Sequence, residues 1–235
     1  MLYPYSIPFD SNQVKLADAV TYDDQGDVIP LSERFDKDNE DIRYSVRDVD
    51  GKNVVWISEN ILSSKPKGQS ISDFIVDYLT SHVGEMYPIL ESGRRVYLGE
   101  DLPNEYAWSK YSQRIRSKDQ RLYKDKAKAI AGIGEAINIA TNRRWEPTKH
   151  PQNKDAKYGI YKYDSKIAFP VYNSSGENTG VHAYDVTLVI RNASDGKKYL
   201  YDVQSIKKDA VTANTLYSKS RGATEKNRPA GKHLF

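Results

Sequence analysis

Several lysines and one histidine share a polar stretch between Trp145 and Lys157, where His150 stands near Lys149, Lys154 and Lys157. Metal-free cleavage of RNA needs a base for the 2′-hydroxyl proton, an acid for the leaving 5′-oxygen, and cations for the phosphate. Histidine suits both proton-transfer roles because its ordinary pKa lies near neutrality. The candidate catalytic residues are therefore His150, Lys154 and Lys157, against the simpler interpretation of a surface histidine in a basic loop.

Other side chains around this stretch could contact a nucleic acid through charge and stacking. Tyr161 and Tyr163 lie on the same face of a predicted strand and could stack on bases, although core packing explains such a face equally well. His182 begins a predicted strand after a Gly-rich loop, where an exposed edge position is the alternative. Arginines that close a helix also compensate its dipole. The candidate nucleic-acid-binding residues are Arg143, Arg144, Lys149, Tyr161, Tyr163 and His182.

The sequence supports metal-dependent catalysis less well than metal-free catalysis. The chain has no cysteine, and its four histidines are widely scattered without the spacing of a metal site. Asp185, Asp202, Gln204 and Lys207 resemble the acid-and-lysine core of metal-dependent nucleases, but Gln204 stands where the second acid would bind Mg²⁺. The sequence therefore predicts no metal site and no cofactor.

The charge of the chain is divided between its two halves. Residues 1–106 hold 10 Lys and Arg against 20 Asp and Glu, whereas residues 107–235 hold 25 against 12. A basic half with interleaved tyrosines is typical of a protein that binds a phosphate backbone. No apolar run approaches the roughly 20 residues of a membrane-spanning helix, so no membrane contact is expected.

The hydrophobic pattern predicts an α+β protein with four parts. Residues 1–42 form an acidic linker or the tail of an upstream module, and residues 43–118 form a small α/β subdomain that opens with a hairpin around Asp50 and Gly51. Residues 119–208 form a basic domain, and residues 209–235 a flexible basic tail.

Within the basic domain, a helix over Lys126–Arg144 packs on a four-stranded antiparallel meander. The predicted strands are Tyr158–Asp164, Lys166–Val171, Val181–Arg191 and Lys198–Ile206. Gly132 and Gly134 weaken the helix, which indicates close packing against a sheet.

Two stretches resemble known families. Ile29–Phe35 and Asp41–Ser45 are similar to a segment of large phage and prophage proteins of gut Firmicutes, where it joins a MuF-type head protein or another upstream domain to a C-terminal effector module. Phe9–Lys15 looks like the last strand of such an upstream domain. This resemblance implies a module linked to phage head or MuF-type proteins.

The second resemblance runs from about Lys126 to Lys208. Its helix ending in Ala140–Trp145 and its strands Tyr158–Tyr163 and Tyr199–Val203 are similar to the barnase–EndoU–colicin–RelE (BECR) nuclease-like domains of polyvalent phage proteins. The resemblance implies a metal-independent RNA endonuclease that acts on tRNA or rRNA in the cytoplasm of a bacterial host, with delivery in the phage particle as one route. The alternative is a catalytically inactive accessory module that binds nucleic acid or a host protein.

Overall fold

The structure of the protein is a computed structural model that describes residues 44–148 and 154–226. Lys149, His150 and the predicted acidic segment 1–42 lie outside the described residues. The described part is an α+β fold, as the sequence predicts, and consists of one curled mixed sheet and several helices.

Strands and helices alternate irregularly along the described residues. The strands are β1 Tyr44–Val49, β2 Lys52–Ile57, β3 Met86–Ile89, β4 Arg94–Leu98, β5 Thr141–Glu146, β6 Ile160–Tyr172, β7 Asn178–Asn192 and β8 Lys198–Lys208. The α-helices are α1 Ile71–Thr80, α2 Leu102–Trp108, α3 Lys110–Lys118, α4 Gln120–Lys128, α5 Ile133–Asn138 and α6 Ala210–Lys226. Short 3₁₀ turns cover residues 61–64, 129–132 and 154–156.

All eight strands belong to one sheet in the order β1-β2-β6-β7-β8-β4-β3, with β5 also paired to β6. The long strand β6 has a divided edge: its Ile160–Asp164 half pairs with β5, whereas Ile167 and Ala168 pair with β2. Strand β4 pairs with β8 only at Tyr199 and Leu200. The central antiparallel meander β6–β7–β8 therefore carries the rest of the sheet.

The sheet is covered on both faces. Helices α1 to α5 lie on one face over a large buried cluster that includes Leu79, Ile137 and Leu188. Helix α6 lies on the other face, where Leu216 packs with Trp56 and Ala183. Side chains from both sides of the boundary predicted near residue 118 belong to the large cluster.

Two local predictions are confirmed. Asp50 and Gly51, with φ of 53° and 75°, form the turn of the β1–β2 hairpin, and these positive values suit the twist of the flanking strands. A Cβ at Gly132 would lie 2.9 Å from Val55 Cγ1, and one at Gly134 would overlap the ring of Tyr87. Both glycines therefore let the chain lie directly against the sheet.

The structure corrects the prediction of one continuous helix over Lys126–Arg144. Helix α4 ends at Lys128, a 3₁₀ turn and the short α5 follow, and Arg143 and Arg144 lie in strand β5. The reversal occurs at Asn142, which has a φ of 56° and adjoins a bulge in the β5–β6 pairing. Dipole compensation therefore does not explain the two arginines.

The meander and the segment after it also differ from the prediction. Strand β6 continues through Asp164 and Ser165, which the sequence pattern marks as a turn, so the meander has three strands. Ser165 donates a hydrogen bond to the carbonyl oxygen of Ala136, 2.9 Å away, and therefore stays in the strand while buried. Residues from 209 were expected to be frayed, whereas α6 begins there and Asp209 Oδ1 accepts from the Thr212 amide at 3.0 Å.

Glu135 in helix α5 gives a prediction about stability. Burial raises the pKa of its carboxyl to about 7. The folded state thus holds this proton more tightly than the unfolded state. The stability that the protonated Glu135 contributes at low pH is lost as the pH rises from about 4.5 to about 7.

We expect Glu135→Gln to raise the free energy of unfolding by about 2 kcal/mol at pH 8 and to change it little at pH 4.5. Urea unfolding at both values measures this, with the exposed Glu91→Gln as control, and an equal effect at both pH values would contradict it.

Candidate active site

Most predicted site residues lie at one end of the sheet, around the β5–β6 pair. Lys154 and Lys157 are exposed there, and the Lys157 ammonium lies 5.5 Å from the centre of the Tyr158 ring. The carbonyl oxygen of Lys154 accepts from the Ser194 amide at 2.8 Å, which ties this segment to the end of β7. The predicted partner of both lysines, His150, lies outside the described residues.

One face of the β5–β6 pair is held by surface ion pairs. Arg144 donates two hydrogen bonds to Asp164, at 2.7 and 2.5 Å, and Lys162 Nζ lies 2.7 Å from Glu146 Oε1. The hydrogen bond from Arg144 lowers the pKa of Asp164. Arg144 is therefore already paired with a carboxylate and is a poor candidate for contact with phosphate.

The opposite face of the same pair carries a cation and two aromatic rings. The Arg143 guanidinium lies 5.6 Å from the centre of the Tyr161 ring, and Trp145 stands directly opposite Tyr161 in the register. Trp145 is 56% exposed, although its Nε1 donates to the carbonyl oxygen of Tyr158 at 3.1 Å. We name Arg143, Trp145 and Tyr161 the ribbon face. Tyr163 is 1% exposed in the core, so the packing alternative applies to it.

His182 lies far from these residues. It is near the start of β7, whereas Lys154 and Tyr158 contact the chain at and beyond Asn192, the last residue of that strand. Ten residues of extended strand span roughly 33 Å. The structure therefore does not bring His182 together with Lys154 or Lys157.

His182 instead belongs to a compact cluster centred on Asp125 of α4. Asp125 Oδ2 lies 2.8 Å from His182 Nδ1 and accepts a hydrogen bond from the Tyr184 hydroxyl at 2.7 Å. Asp125 Oδ1 pairs with Lys128 Nζ at 2.7 Å. The Asp125 side chain is 3% exposed, whereas that of His182 is 29% exposed. A buried carboxylate thus holds a histidine that reaches the surface.

Regular secondary structure positions every member of this cluster. His182 and Tyr184 are two residues apart in β7 and so share one face of the sheet. Asp125 and Lys128 are three residues apart in α4, which brings them to one side of the helix. Helix α4 crosses that face of the sheet, so rigid backbone on both sides fixes the contact.

The charges and hydrogen bonds of the cluster indicate that Asp125 is ionised and which nitrogen of His182 carries a proton. Burial alone would raise the pKa of Asp125, but the hydrogen bonds from Lys128, Tyr184 and His182 outweigh it, and the pKa lies below its ordinary value. An ionised carboxylate only accepts hydrogen bonds, so His182 Nδ1 must carry a proton and donate it. In the neutral ring, Nε2 is then the basic nitrogen. This is the arrangement of a general base that a carboxylate orients, with the Lys128 ammonium on the same carboxylate.

Asp125, Lys128 and Tyr184 are absent from the residues that the sequence predicts for the site. The sequence gives no clear sign of their role. Asp125 immediately precedes the predicted helix, and Tyr184 has the pattern of an ordinary core residue in an alternating strand. Only the packing of α4 on β7, between residues 57 apart in the chain, brings the carboxylate to His182.

A second charged group is buried close by. Lys126, the neighbour of Asp125, pairs with Asp202 of β8 at 2.7 Å, and both side chains are 0% exposed. Lys126 Nζ also donates to Ser112 Oγ at 2.6 Å and lies 4.4 Å from the centre of the Tyr106 ring. Burial lowers the pKa of Lys126 and raises that of Asp202 despite their mutual attraction. This pair is closed to substrate and fixes the position of α4.

The acidic residues that suggested metal binding do not converge. Asp202 faces Lys126, whereas Asp185 forms an ion pair with Lys166. Within residues 44–148 and 154–226, no three His, Asp or Glu side chains are grouped so that they could bind a metal ion.

Comparisons with protein-family models, curated proteins and solved structures find no match to this chain. Over the part of the chain that the structure describes, no helix combines the length and the apolar character needed to cross a membrane.

Proposed function

We propose that the chain is a metal-independent ribonuclease module in which His182 is the general base. The observation that carries this proposal is the Asp125–His182 contact, in which a buried carboxylate fixes the tautomer of a partly exposed imidazole. A helical layer on the β6–β7–β8 meander, the basic half of the chain and the BECR resemblance support the same function. The same resemblance favours an effector module of a phage or mobile element that acts in the bacterial cytoplasm.

The proposed reaction is a transesterification within the RNA strand. His182 Nε2 removes the proton of a 2′-hydroxyl, and the 2′-oxygen forms a bond to the adjacent phosphorus. The bond from phosphorus to the 5′-oxygen breaks, and water protonates that oxygen. The His182 imidazolium then gives its proton to the hydroxide left behind, and a 2′,3′-cyclic phosphate remains.

The direct test is incubation of the purified protein with total tRNA and rRNA in EDTA. We expect fragments that end in a 2′,3′-cyclic phosphate on one side and a 5′-hydroxyl on the other. Intact RNA after prolonged incubation, together with normal growth of bacteria that express the protein, would contradict the proposal.

A second candidate function rests on the ribbon face. Its exposed Trp145 and its stacked Arg143 and Tyr161 suit single-stranded RNA, whether or not cleavage follows. In that case the chain is a binding module, and RNA binds in a salt-dependent manner without turnover.

The ribbon face gives a prediction that applies to both functions. Arg143 and Arg144 are neighbours on opposite faces of β5, and within residues 44–148 and 154–226 only Arg144 of the two is paired with a carboxylate. We expect Arg143→Ala to weaken binding of a single-stranded RNA about tenfold and to reduce the salt slope by about 1, whereas Arg144→Ala has little effect. Fluorescence anisotropy at several salt concentrations measures both. Equal effects of the two substitutions would show that RNA does not bind at this face.

A further inference from the structure

A groove of about 740 Å³ opens between helices α2 and α3 and strand β8. Beyond Leu200, β8 is no longer paired with β4, and the groove follows this part of the strand. Its lining residues combine aromatic, cationic and hydrogen-bonding side chains. They are Glu105, Trp108, Ser109, Lys110, Tyr111, Arg114, Tyr201 and Gln204.

The floor of the groove is polar and rigid. Ser109 Oγ and Gln204 Nε2 both donate to Asp202 Oδ2, at 3.1 and 3.2 Å, and the buried Lys126 lies on the other carboxylate oxygen. One N–H of Gln204 thus points at the floor, and its amide oxygen can accept a hydrogen bond from a ligand. Such a floor can recognise a flat polar group.

The walls of the groove carry basic side chains and an aromatic ring. Lys110 and Arg114 are exposed and lie one helical turn apart on α3, beside Trp108, which is 38% exposed. The Glu105 carboxylate, which also lines the groove, is paired with another residue: its Oε2 accepts a hydrogen bond from the Tyr201 hydroxyl at 2.5 Å.

The Arg114 guanidinium lies 5.6 Å from the centre of the Tyr111 ring, and that of Arg116 lies 5.1 Å from the centre of the Trp108 ring. Cations and aromatic rings on one wall suit a phosphate joined to an aromatic base.

The edge of β8 is closed to an added peptide strand. The amide of Ile206 donates to the Tyr111 hydroxyl, and the amide of Val203 donates to Asp202 Oδ1, each at 2.8 Å. These side chains occupy backbone donors that strand addition would need. The groove therefore favours a ligand recognised by charge and stacking over an extended peptide.

The groove and the Asp125–His182 cluster lie along neighbouring strands. Gln204, the last groove residue on β8, is four residues before Lys208, and Lys208 is paired with Tyr184 of the cluster. Four residues along a strand and one step across the sheet amount to roughly 14 Å.

We infer that this groove binds one nucleotide of the RNA strand, with its phosphate at Lys110 and Arg114 and its base against Trp108. The inference rests on the proposed ribonuclease function and names a substrate subsite for it.

Fluorescence of Trp108 tests the inference without turnover. Trp145→Phe removes the other exposed indole, and Trp56 is 5% exposed, so ligand-dependent quenching reports on Trp108. The probe is a 2′-O-methyl hexanucleotide, which lacks the hydroxyl needed for cleavage. We expect quenching that Lys110→Glu with Arg114→Glu weakens at least about tenfold, with a salt slope smaller by about 2. The matched control, Lys118→Glu, changes a charge on the same helix outside the groove and should alter affinity by about twofold or less.

The outcomes separate this inference from the proposed function. Quenching that depends on Lys110 and Arg114, with no cleavage of unmodified RNA, supports the groove and contradicts the ribonuclease. Cleavage of RNA with unchanged KM in the double variant, and no quenching, supports the ribonuclease and overturns the groove. Quenching by a polyglutamate peptide but not by the oligonucleotide also overturns it, because the groove would then be a peptide site.

Discussion

Replacing His182 by alanine is expected to lower the rate constant of RNA cleavage about 10³-fold, because the substitution removes the proposed general base. Affinity for the 2′-O-methyl oligonucleotide should stay the same, since the imidazole acts on the reacting hydroxyl that this probe lacks. Single-turnover cleavage with excess protein measures the rate constant without interference from product release. Asp125→Asn should also lower the rate, on the order of 10²-fold or more, because an amide can hold the wrong tautomer of the imidazole.

Two further histidines complete this experiment. His82 stacks on Tyr78 with ring centres 4.6 Å apart and lies outside the cluster, so His82→Ala is the matched control and should cleave at the normal rate. His150→Ala tests the prediction from the sequence. A rate that falls with His150→Ala and not with His182→Ala would move the chemistry to the Lys154–Lys157 end of the sheet and would refute the role of Asp125.

Replacing Lys126 by methionine is expected to lower the free energy of unfolding by about 3–5 kcal/mol. The substitution leaves the Asp202 carboxylate buried at 0% exposure without its cation. Replacing both partners, as in Lys126→Met with Asp202→Asn, should restore most of the loss, since no uncompensated charge then remains. Urea unfolding at pH 7 measures all three proteins.

A surface pair supplies the control for this prediction. Lys162 and Glu146 are 33% and 51% exposed, and Lys162→Met should cost about 0.5 kcal/mol or less. A similar small loss for Lys126→Met would mean that water reaches the Lys126–Asp202 pair in solution, and α4 would then lack the fixed position that the proposed active site requires.

Local signals in the sequence predict the parts of the fold that local physics decides. Asp50 and Gly51 specify the first hairpin through their positive φ values, and Ser70 begins α1 by accepting from the Asp73 amide at 3.1 Å. The same rules fail at Asp164 and Ser165, because Arg144 and Ala136 supply partners that a turn would otherwise provide. Contacts between residues distant in sequence override the turn signal there.

The candidate site could be predicted only in part for the same reason. His182 and the ribbon-face residues Arg143 and Tyr161 are recognisable by residue type. The contact that distinguishes His182, by contrast, crosses 57 residues, and the buried pair beside it crosses 76. No spacing in the sequence encodes these contacts, since they follow from the angle at which α4 lies across the sheet.

The adjacent positions of Asp125 and Lys126 have a consequence for how the proposed RNA cleavage would be lost on heating. Neighbouring side chains on a helix point about 100° apart, so α4 reaches β7 with one residue and β8 with the next only in a single rotational setting. A slip of one residue would turn Lys126 toward His182 and leave Asp202 facing an alanine, Ala127. A shift or rotation of α4 therefore cannot take the carboxylate from the imidazole without also leaving a buried charge unpaired. Heating should abolish the proposed cleavage and unfold the protein in one cooperative step, with no intermediate state that is folded but has lost the Asp125–His182 contact.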